Sequence, residues 1–128
     1  HSAVEHVEFQ RIKSLGDLNT ALAASRLKGQ PAMLDFYADW CVECIRMERN
    51  TFPEASVQAL LKDLELLQAD VTPNDEIDQA LMKQFGIIGP PAILFFDRSG
   101  NEMRAYRLVG YFTPAEFSAH LRKVLDAS

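Results

Sequence analysis

The 128-residue sequence lacks the features that mark membrane-spanning and nucleic-acid-binding chains. No apolar stretch approaches the roughly 20 residues of a membrane helix, and the longest apolar run, residues 92–96, suits a buried strand. No basic run occurs, and 13 basic against 18 acidic residues give a net charge of −5. This balance argues against nucleic acid or lipid as a direct partner. We expect a globular, monomeric protein with one domain over residues 1–128.

An initiator methionine and a signal-like segment are also absent, because the chain begins His-Ser. Such a start is typical of a mature fragment or an excised domain. We expect the first few residues to be an expression remnant or a flexible linker.

The hydrophobic pattern predicts alternating strands and helices. Strands are predicted at residues 7–13, 32–38, 64–71, 92–97 and 103–109. Helices are predicted over residues 14–28, from residue 41 to a break near residues 51–54, and over residues 53–62, 72–85 and 113–125. The early β-α-β order implies parallel strands, whereas the last two strands, joined by a tight turn, imply an antiparallel hairpin. The expected fold class is α/β, with a mixed central sheet and helices on both faces.

Three of the predicted helix starts carry residue pairs with capping-box spacing. The pairs are Ser14 with Asp17, Thr51 with Glu54, and Thr113 with Glu116. Gly29 stands where a C′ glycine would end the first helix.

The only two cysteines, Cys41 and Cys44, follow a predicted buried strand and open a predicted helix. Ligand chemistry gathers at such junctions in open α/β sheets, and unpaired N–H groups at a helix start stabilise a thiolate. Because the cysteines are three residues apart on one helical face, their sulfur atoms can reach disulfide distance.

Three interpretations of this pair compete. A structural disulfide would close a very short loop and stabilise little. A structural zinc site needs about four ligands, and the histidines His1, His6 and His120 lie near the chain ends without ligand spacing. A redox-active pair agrees best with a CxxC motif at a strand-to-helix junction.

Two carboxylates are candidate partners of the pair. Asp35 interrupts an apolar strand, so burial should raise its pKa and let it accept or return the proton of Cys44. The alternative is a strand-end aspartate bonded to backbone or water. Glu48 lies four residues beyond Cys44 on the same helical face; the alternative is a solvated residue near Arg46 or Arg49.

The predicted environment of Cys41 contains opposing influences. The helix start lowers its thiol pKa, whereas nearby acids and apolar cover raise it. No Lys, Arg or His lies between the cysteines to favour the thiolate. We predict that Cys41 is not strongly acidified, so that the pair tends to donate electrons.

A short proline-rich segment, Gly89, Pro90 and Pro91, immediately precedes the predicted strand at residues 92–97. The bond before Pro91 is either cis, which is a purposeful tight feature at such a position, or that of a trans loop proline. A cis bond could set an exposed backbone edge beside the cysteines, for pairing with an extended partner strand.

The order of strand, Trp-Cys-x-x-Cys, helix and a proline before a hairpin resembles the thioredoxin fold over residues 7–126. More narrowly, the segments YADWCVEC, LLQADVT-ND, PAILFFD-SG and VGY resemble the C-terminal periplasmic domain of the bacterial disulfide interchange family DsbD. Val42 and Glu43 replace the Gly-Pro of ordinary thioredoxins, which argues against a general thioredoxin.

The resemblance implies a protein-disulfide reductase that takes electrons from the transmembrane domain of the same parent protein. Cytoplasmic thioredoxin and NADPH would supply these electrons upstream, and the N-terminal periplasmic domain would receive them and serve disulfide isomerase and cytochrome-c maturation. The implied location is the periplasm, as a soluble domain of an inner-membrane protein. No bound organic cofactor or metal is expected.

The same resemblance assigns roles to individual residues. Cys41 matches the attacking, exposed cysteine, Cys44 the resolving cysteine, Asp35 and Glu48 two acids near the pair, and Pro91 a cis-proline. The docking surface would be framed by Trp40, Gly89, Pro90 and Pro91. Two rival functions are a free-standing thioredoxin-like reductase or oxidase, and a binding or chaperone module whose disulfide stays closed.

Overall fold

A four-stranded sheet forms the centre of the fold in a computed structural model, which describes residues 7–128. The strands are β1 (Gln10–Ile12), β2 (Ala32–Tyr37), β3 (Glu65–Asp70) and β4 (Ala92–Phe96). Their spatial order is β1-β3-β2-β4; the first three are parallel, and β4 is antiparallel to β2. The predicted mixed sheet is therefore confirmed. The expectation of a remnant or linker at the first few residues, like His1 and His6, lies outside the described residues.

Five α-helices accompany the sheet in the part of the chain that the structure describes. They are α1 (Leu15–Leu27), α2 (Val42–Arg46), α3 (Ala55–Leu61), α4 (Glu76–Gln84) and α5 (Pro114–Ala127). A π-helical turn, Met47–Thr51, continues α2, and a 3-10 turn, Arg104–Tyr106, follows β4. Among residues 7–128, no helix combines the length and the apolar content that crossing a bilayer requires.

Alternation along β2 divides the interior into two layers. Leu34 and Phe36 pack with buried residues of α1 and α4, whereas Met33 packs with buried residues of α3 and α5. The prediction of helices on both faces is confirmed. Because all six residues of β2 are buried, any polar side chain on this strand needs a partner within the protein.

Two of the three predicted helix caps are present. Ser14 and Thr113 each accept a hydrogen bond from the backbone three residues on, and so start α1 and α5. The predicted cap at Thr51 and Glu54 is wrong. The Thr51 hydroxyl donates instead to the carbonyl oxygen of Phe112 at 2.7 Å, and Glu54 precedes α3 without a side-chain cap.

The helix predicted from residue 72 begins later, at Glu76. Asp75 caps it, because its side chain accepts a hydrogen bond from the backbone N–H of Asp78. Asn74, with φ of 51°, turns the chain into this cap. Residues 72–74 therefore lie outside the helix, and Thr72 contacts another segment of the chain.

The second strand of the predicted C-terminal hairpin, residues 103–109, is reduced to two isolated antiparallel bridges. Ile93 pairs with Leu108, and Phe96 pairs with Glu102. Five residues lie between Glu102 and Leu108, whereas two lie between Ile93 and Phe96. The extra residues are accommodated by the 3-10 turn, so the antiparallel direction is as predicted but the regular ladder is lost.

Candidate functional site

Cys41 and Cys44 are joined in a disulfide at the junction between β2 and α2, with their Cα atoms 5.2 Å apart. Cys41 is the N-cap residue of α2, and its Sγ accepts a hydrogen bond from the Cys44 N–H at 3.2 Å. Cys44 Sγ lies 3.7 Å from the carbonyl oxygen of Phe36. In the reduced protein the same N–H can stabilise a thiolate at Cys41.

Both cysteines are buried, which corrects the expectation of an exposed Cys41. Cys41 is 6% exposed and Cys44 is 4% exposed. Their neighbours Trp40 and Val42 are 58% and 70% exposed. The disulfide therefore lies just beneath a protruding apolar rim, and a partner must dock closely on this rim to reach a sulfur atom.

The histidine relevant to the zinc interpretation, His120, is half-buried and bonded within the protein. His120 Nε2 lies 2.7 Å from the carbonyl oxygen of Tyr106, and its ring packs 5.6 Å from that of Phe95. Within residues 7–128, no three His, Cys, Asp or Glu side chains are grouped to hold a metal ion.

Asp35 lies in the middle of β2, on the same side of the strand as Met33. It is 6% exposed, and its Oδ2 accepts a 3.0 Å hydrogen bond from Gln68 Nε2. Burial raises the pKa of Asp35 to about 7; the Gln68 hydrogen bond opposes this shift, and the charge of Glu48 adds to it. Asp35 lies inside the strand and not at its end, and its carboxyl group is poised to exchange a proton near neutral pH.

Glu48 lies in the π-helical turn that continues α2. The residue is exposed at the surface, but it lines a small cavity with Val7, Phe9 and Phe52. Desolvation raises the pKa of Glu48, whereas a hydrogen bond with Gln68 lowers it. Its exposure agrees with the solvated alternative, but its negative charge contributes to the raised pKa of Asp35.

Gln68 is the site residue that the sequence reasoning missed. It faces Asp35 across the β2–β3 ladder, is 2% exposed, donates a hydrogen bond to Asp35, and lowers the pKa of Glu48. The available signal was a polar residue inside the apolar strand at residues 64–71. Without the strand register, that signal did not identify its partners.

Trp40 protrudes beside the disulfide with a fixed orientation. Its Nε1 donates a 3.1 Å hydrogen bond to the carbonyl oxygen of Thr72. The ring, which is 58% exposed, is therefore tied to the loop after β3.

The loop that contains Gly89, Pro90 and Pro91 leads directly into β4. The Pro90–Pro91 peptide bond is cis, which resolves the two alternatives for this bond. Ala92, the next residue, pairs with Phe36, so this loop lies at the same end of the sheet as the disulfide. Pro91 also lines an apolar groove with Ile87, Ile88, Gly89, Leu108 and Val109.

Comparison with known proteins agrees with this geometry. A family model described as a thioredoxin-like domain matches residues 18–125. The thiol:disulfide interchange protein DsbD of Ralstonia nicotianae is 50% identical over 122 residues, which cover 95% of this chain and 20% of that protein. The chain thus spans about a fifth of the length of the curated relatives that it matches.

Solved structures give the same result. The oxidised C-terminal domain of Neisseria meningitidis DsbD has a TM-score of 0.79 and 27% identity, covering 90% of this chain and 99% of that domain. Its reduced form has a TM-score of 0.77 and 28% identity, with the same coverage. The predicted thioredoxin-like fold and the resemblance to DsbD are confirmed.

Proposed function

Because this chain belongs to the thioredoxin-like domain family, we propose that it is a protein-disulfide reductase whose reactive groups are Cys41 and Cys44. The observation that carries this proposal is the Cys41–Cys44 disulfide at the start of α2, between an exposed rim and a buried acid. A one-domain arrangement over residues 1–128 is part of the proposal.

The proposed chemistry is dithiol–disulfide exchange. The Cys41 thiolate attacks one sulfur of a partner disulfide, and the other partner sulfur leaves as a thiolate that takes up a proton. Cys44 then loses its proton and attacks Cys41 Sγ, which releases the second partner thiol. Two electrons pass to the partner, and the Cys41–Cys44 disulfide remains to be reduced again.

Asp35 is the proposed acceptor for the Cys44 proton. A carboxyl group with a pKa of about 7 can take up a proton and return it near neutral pH. It precedes Phe36, whose carbonyl oxygen lies 3.7 Å from Cys44 Sγ. Glu48 is proposed to act on the pair through its negative charge, which disfavours further negative charge at this end of the sheet.

The acids also set the proposed direction of electron flow. A thiolate close to carboxylates is less stable than one close to cations, and a destabilised reduced form donates electrons more readily. We therefore assign the role of reductant. The equilibrium potential of the pair against dithiothreitol or glutathione distinguishes this role from that of an oxidase.

The relatives suggest the wider context. By analogy with DsbD, we propose a periplasmic domain that relays electrons from a membrane-embedded domain to a second periplasmic domain of the same parent protein. NADPH would act only upstream, and no cofactor would be bound. The docking surface would comprise Trp40 and the loop with Gly89, Pro90 and Pro91, since both lie at the disulfide end of the sheet.

Insulin reduction with dithiothreitol as electron source tests the activity. The wild type should accelerate insulin precipitation, and Cys41→Ser should abolish the acceleration. Cys44→Ser should trap a mixed disulfide between Cys41 and insulin, visible on a non-reducing gel. A wild type without turnover, or an active Cys41→Ser variant, would leave a closed-disulfide binding module as the better description.

A further inference from the structure

Thr72, in the loop after β3, makes a set of hydrogen bonds that converge on the rim of the disulfide. Its Oγ1 accepts a 2.9 Å hydrogen bond from the backbone N–H of Asp39 and donates one of 2.5 Å to Asp70 Oδ1. Only a hydroxyl group can accept and donate through the same atom in this way. The side chain therefore joins the segment before Cys41 to the end of β3.

The main chain of Thr72 completes the connection. Its carbonyl oxygen accepts the Trp40 indole N–H at 3.1 Å, and its own N–H donates to Asp70 Oδ1 at 3.0 Å. Two adjacent residues, Asp39 and Trp40, are thus held by one residue. A 3.1 Å hydrogen bond from Cys41 N to the Ala38 carbonyl oxygen closes the same short segment.

Thr72 is itself anchored on the sheet. Asp70 is the last residue of β3 and pairs in register with Tyr37. Its other carboxylate oxygen, Oδ2, forms a 3.1 Å ion pair with Arg11 on β1. The backbone N–H of Val71 donates a 2.7 Å hydrogen bond to the Tyr37 carbonyl oxygen. The rigid end of three strands thereby sets the position of Thr72.

We propose that Thr72 is a positioning residue, which holds Trp40 and the preceding backbone in the arrangement that a protein partner contacts. This inference rests on the proposed function, in which Trp40 belongs to the docking surface. An exposed indole with little packing samples several orientations unless a hydrogen bond fixes it. Fixing it before docking reduces the ordering cost of binding, so Thr72 should affect the encounter with a protein substrate rather than the sulfur chemistry.

The substitution Thr72→Val tests this role, because it keeps the side-chain shape and removes both hydroxyl hydrogen bonds. Insulin reduction should show a KM raised by about two- to tenfold, as expected for the loss of one or two such bonds. The kcat, the reaction with a small aromatic disulfide and the reduction potential should stay within about twofold of wild type. Thr72→Ser keeps the hydroxyl group and should restore the wild-type KM.

Trp40 offers a second readout that needs no enzymatic activity, since it is the only tryptophan of the chain. Thr72→Val keeps the carbonyl oxygen that accepts the indole N–H, but this residue loses its side-chain bonds to Asp39 and Asp70, so iodide should quench the Trp40 fluorescence more strongly than in the wild type. The matched control is Thr20→Val, which removes a hydroxyl from the exposed surface of α1. This control should change neither quenching nor KM.

The outcomes separate the two proposals. Unchanged quenching and KM in Thr72→Val would overturn the positioning role, and so would equal losses in Thr72→Ser and Thr72→Val, which would indicate packing. A fall in kcat and in small-disulfide reactivity without a change in KM would also overturn it. A wild type inactive on insulin would refute the proposed function alone, because the quenching comparison would still report on Thr72.

Discussion

The side-chain amide of Gln68 donates a 3.0 Å hydrogen bond to the carboxyl group of Asp35, its direct neighbour across β2 and β3. The carboxyl group that accepts this bond is almost fully buried, because Asp35 is only 6% exposed. One neutral hydrogen bond does not compensate an ionised carboxylate for its lost hydration. The Asp35 carboxyl group therefore holds its proton to about pH 7.

Replacing Asp35 by asparagine should stabilise the oxidised protein in mild alkali. The pKa of Asp35 rises from its ordinary value of 3.8 to about 7 on folding. Between these values the unfolded chain binds fewer protons than the folded protein, so stability falls as pH increases and levels off above pH 7. The full shift corresponds to about 4 kcal/mol, and Asp35→Asn should recover about half of it or more at about pH 8.

Urea denaturation at several pH values from about 4 to about 8 measures this effect. The difference in unfolding free energy between Asp35→Asn and wild type should grow across this window. Asp63→Asn, on the exposed turn after α3, is the matched control and should run parallel to wild type. An Asp35→Asn curve that also runs parallel would mean that Asp35 is already ionised at low pH.

Replacing Gln68 by leucine should raise the pKa of Asp35 further. The Gln68 hydrogen bond favours the ionised form of Asp35, so its loss leaves the protonated form more stable. Carbon-13 NMR of the Asp35 carboxyl group should show a midpoint higher by roughly one unit. Gln79→Leu, which removes an exposed bond to the Asn74 carbonyl oxygen, should leave that midpoint in place; a lower midpoint in Gln68→Leu contradicts the assignment.

Local sequence signals predicted most of the fold because they report on short-range physics. The apolar strand at residues 32–38 and the caps at Ser14 and Thr113 depend on neighbours within a few positions. The predicted strand at residues 103–109 failed because its pairing with β4 is set by register across the turn, which forces a 3-10 turn into the middle. The helix predicted over residues 72–85 is present, but it starts four residues later because Asp75 caps it.

The residues of the candidate site also form two groups, those that the sequence identifies and those that only the tertiary structure identifies. Cys41, Cys44 and Asp35 are visible in the sequence, because two cysteines share one turn and an acid interrupts an apolar run. Gln68 and Thr72 belong to a different strand and loop, and their roles appear only when β3 lies beside β2. The burial of Cys41 also depends on tertiary packing, which a helix-start pattern does not report.

Replacing Glu48 by glutamine should lower the thiol pKa of Cys41. In its proposed role, an ionised Glu48 disfavours a second negative charge at the pair, and its removal favours the thiolate. The wild-type alkylation midpoint should lie at or above the free-cysteine value of about 8.5, and Glu48→Gln should shift it down by roughly half a unit or more. The measurement is the pH dependence of iodoacetamide alkylation in the reduced protein.

The matched control for this series is Glu43→Gln. Glu43 lies between the cysteines but pairs with Arg46 at 3.1 Å on the exposed side of α2, so its effect on the midpoint should be smaller. A wild-type midpoint far below 8.5 would refute a weakly acidified Cys41. Equal alkylation curves for wild type and Glu48→Gln would show that Glu48 is a solvated surface residue without an effect on the Cys41 thiol.

An ion pair behind the cis-proline loop should contribute more to stability than a pair on the open surface. Arg107 contacts Glu102 through two hydrogen bonds of 2.5 and 2.8 Å and donates a third, of 2.8 Å, to the carbonyl oxygen of Phe85. Both charged side chains are largely buried, at 19% and 15% exposure. Arg107→Met should therefore cost about 1.5–3 kcal/mol, because charged hydrogen-bonding groups are left without partners.

Lys28→Met is the comparison, because Lys28 pairs with Glu65 at 2.8 Å while 59% of its side chain is exposed. Exposed pairs contribute about 1 kcal/mol or less, so urea unfolding should separate the two variants clearly. Amide hydrogen exchange should also accelerate over residues 86–89 in Arg107→Met alone, since the Phe85 carbonyl anchors the start of this loop. Equal costs in the two variants, with no change in exchange, would show that the Arg107 contacts do not hold the loop in place.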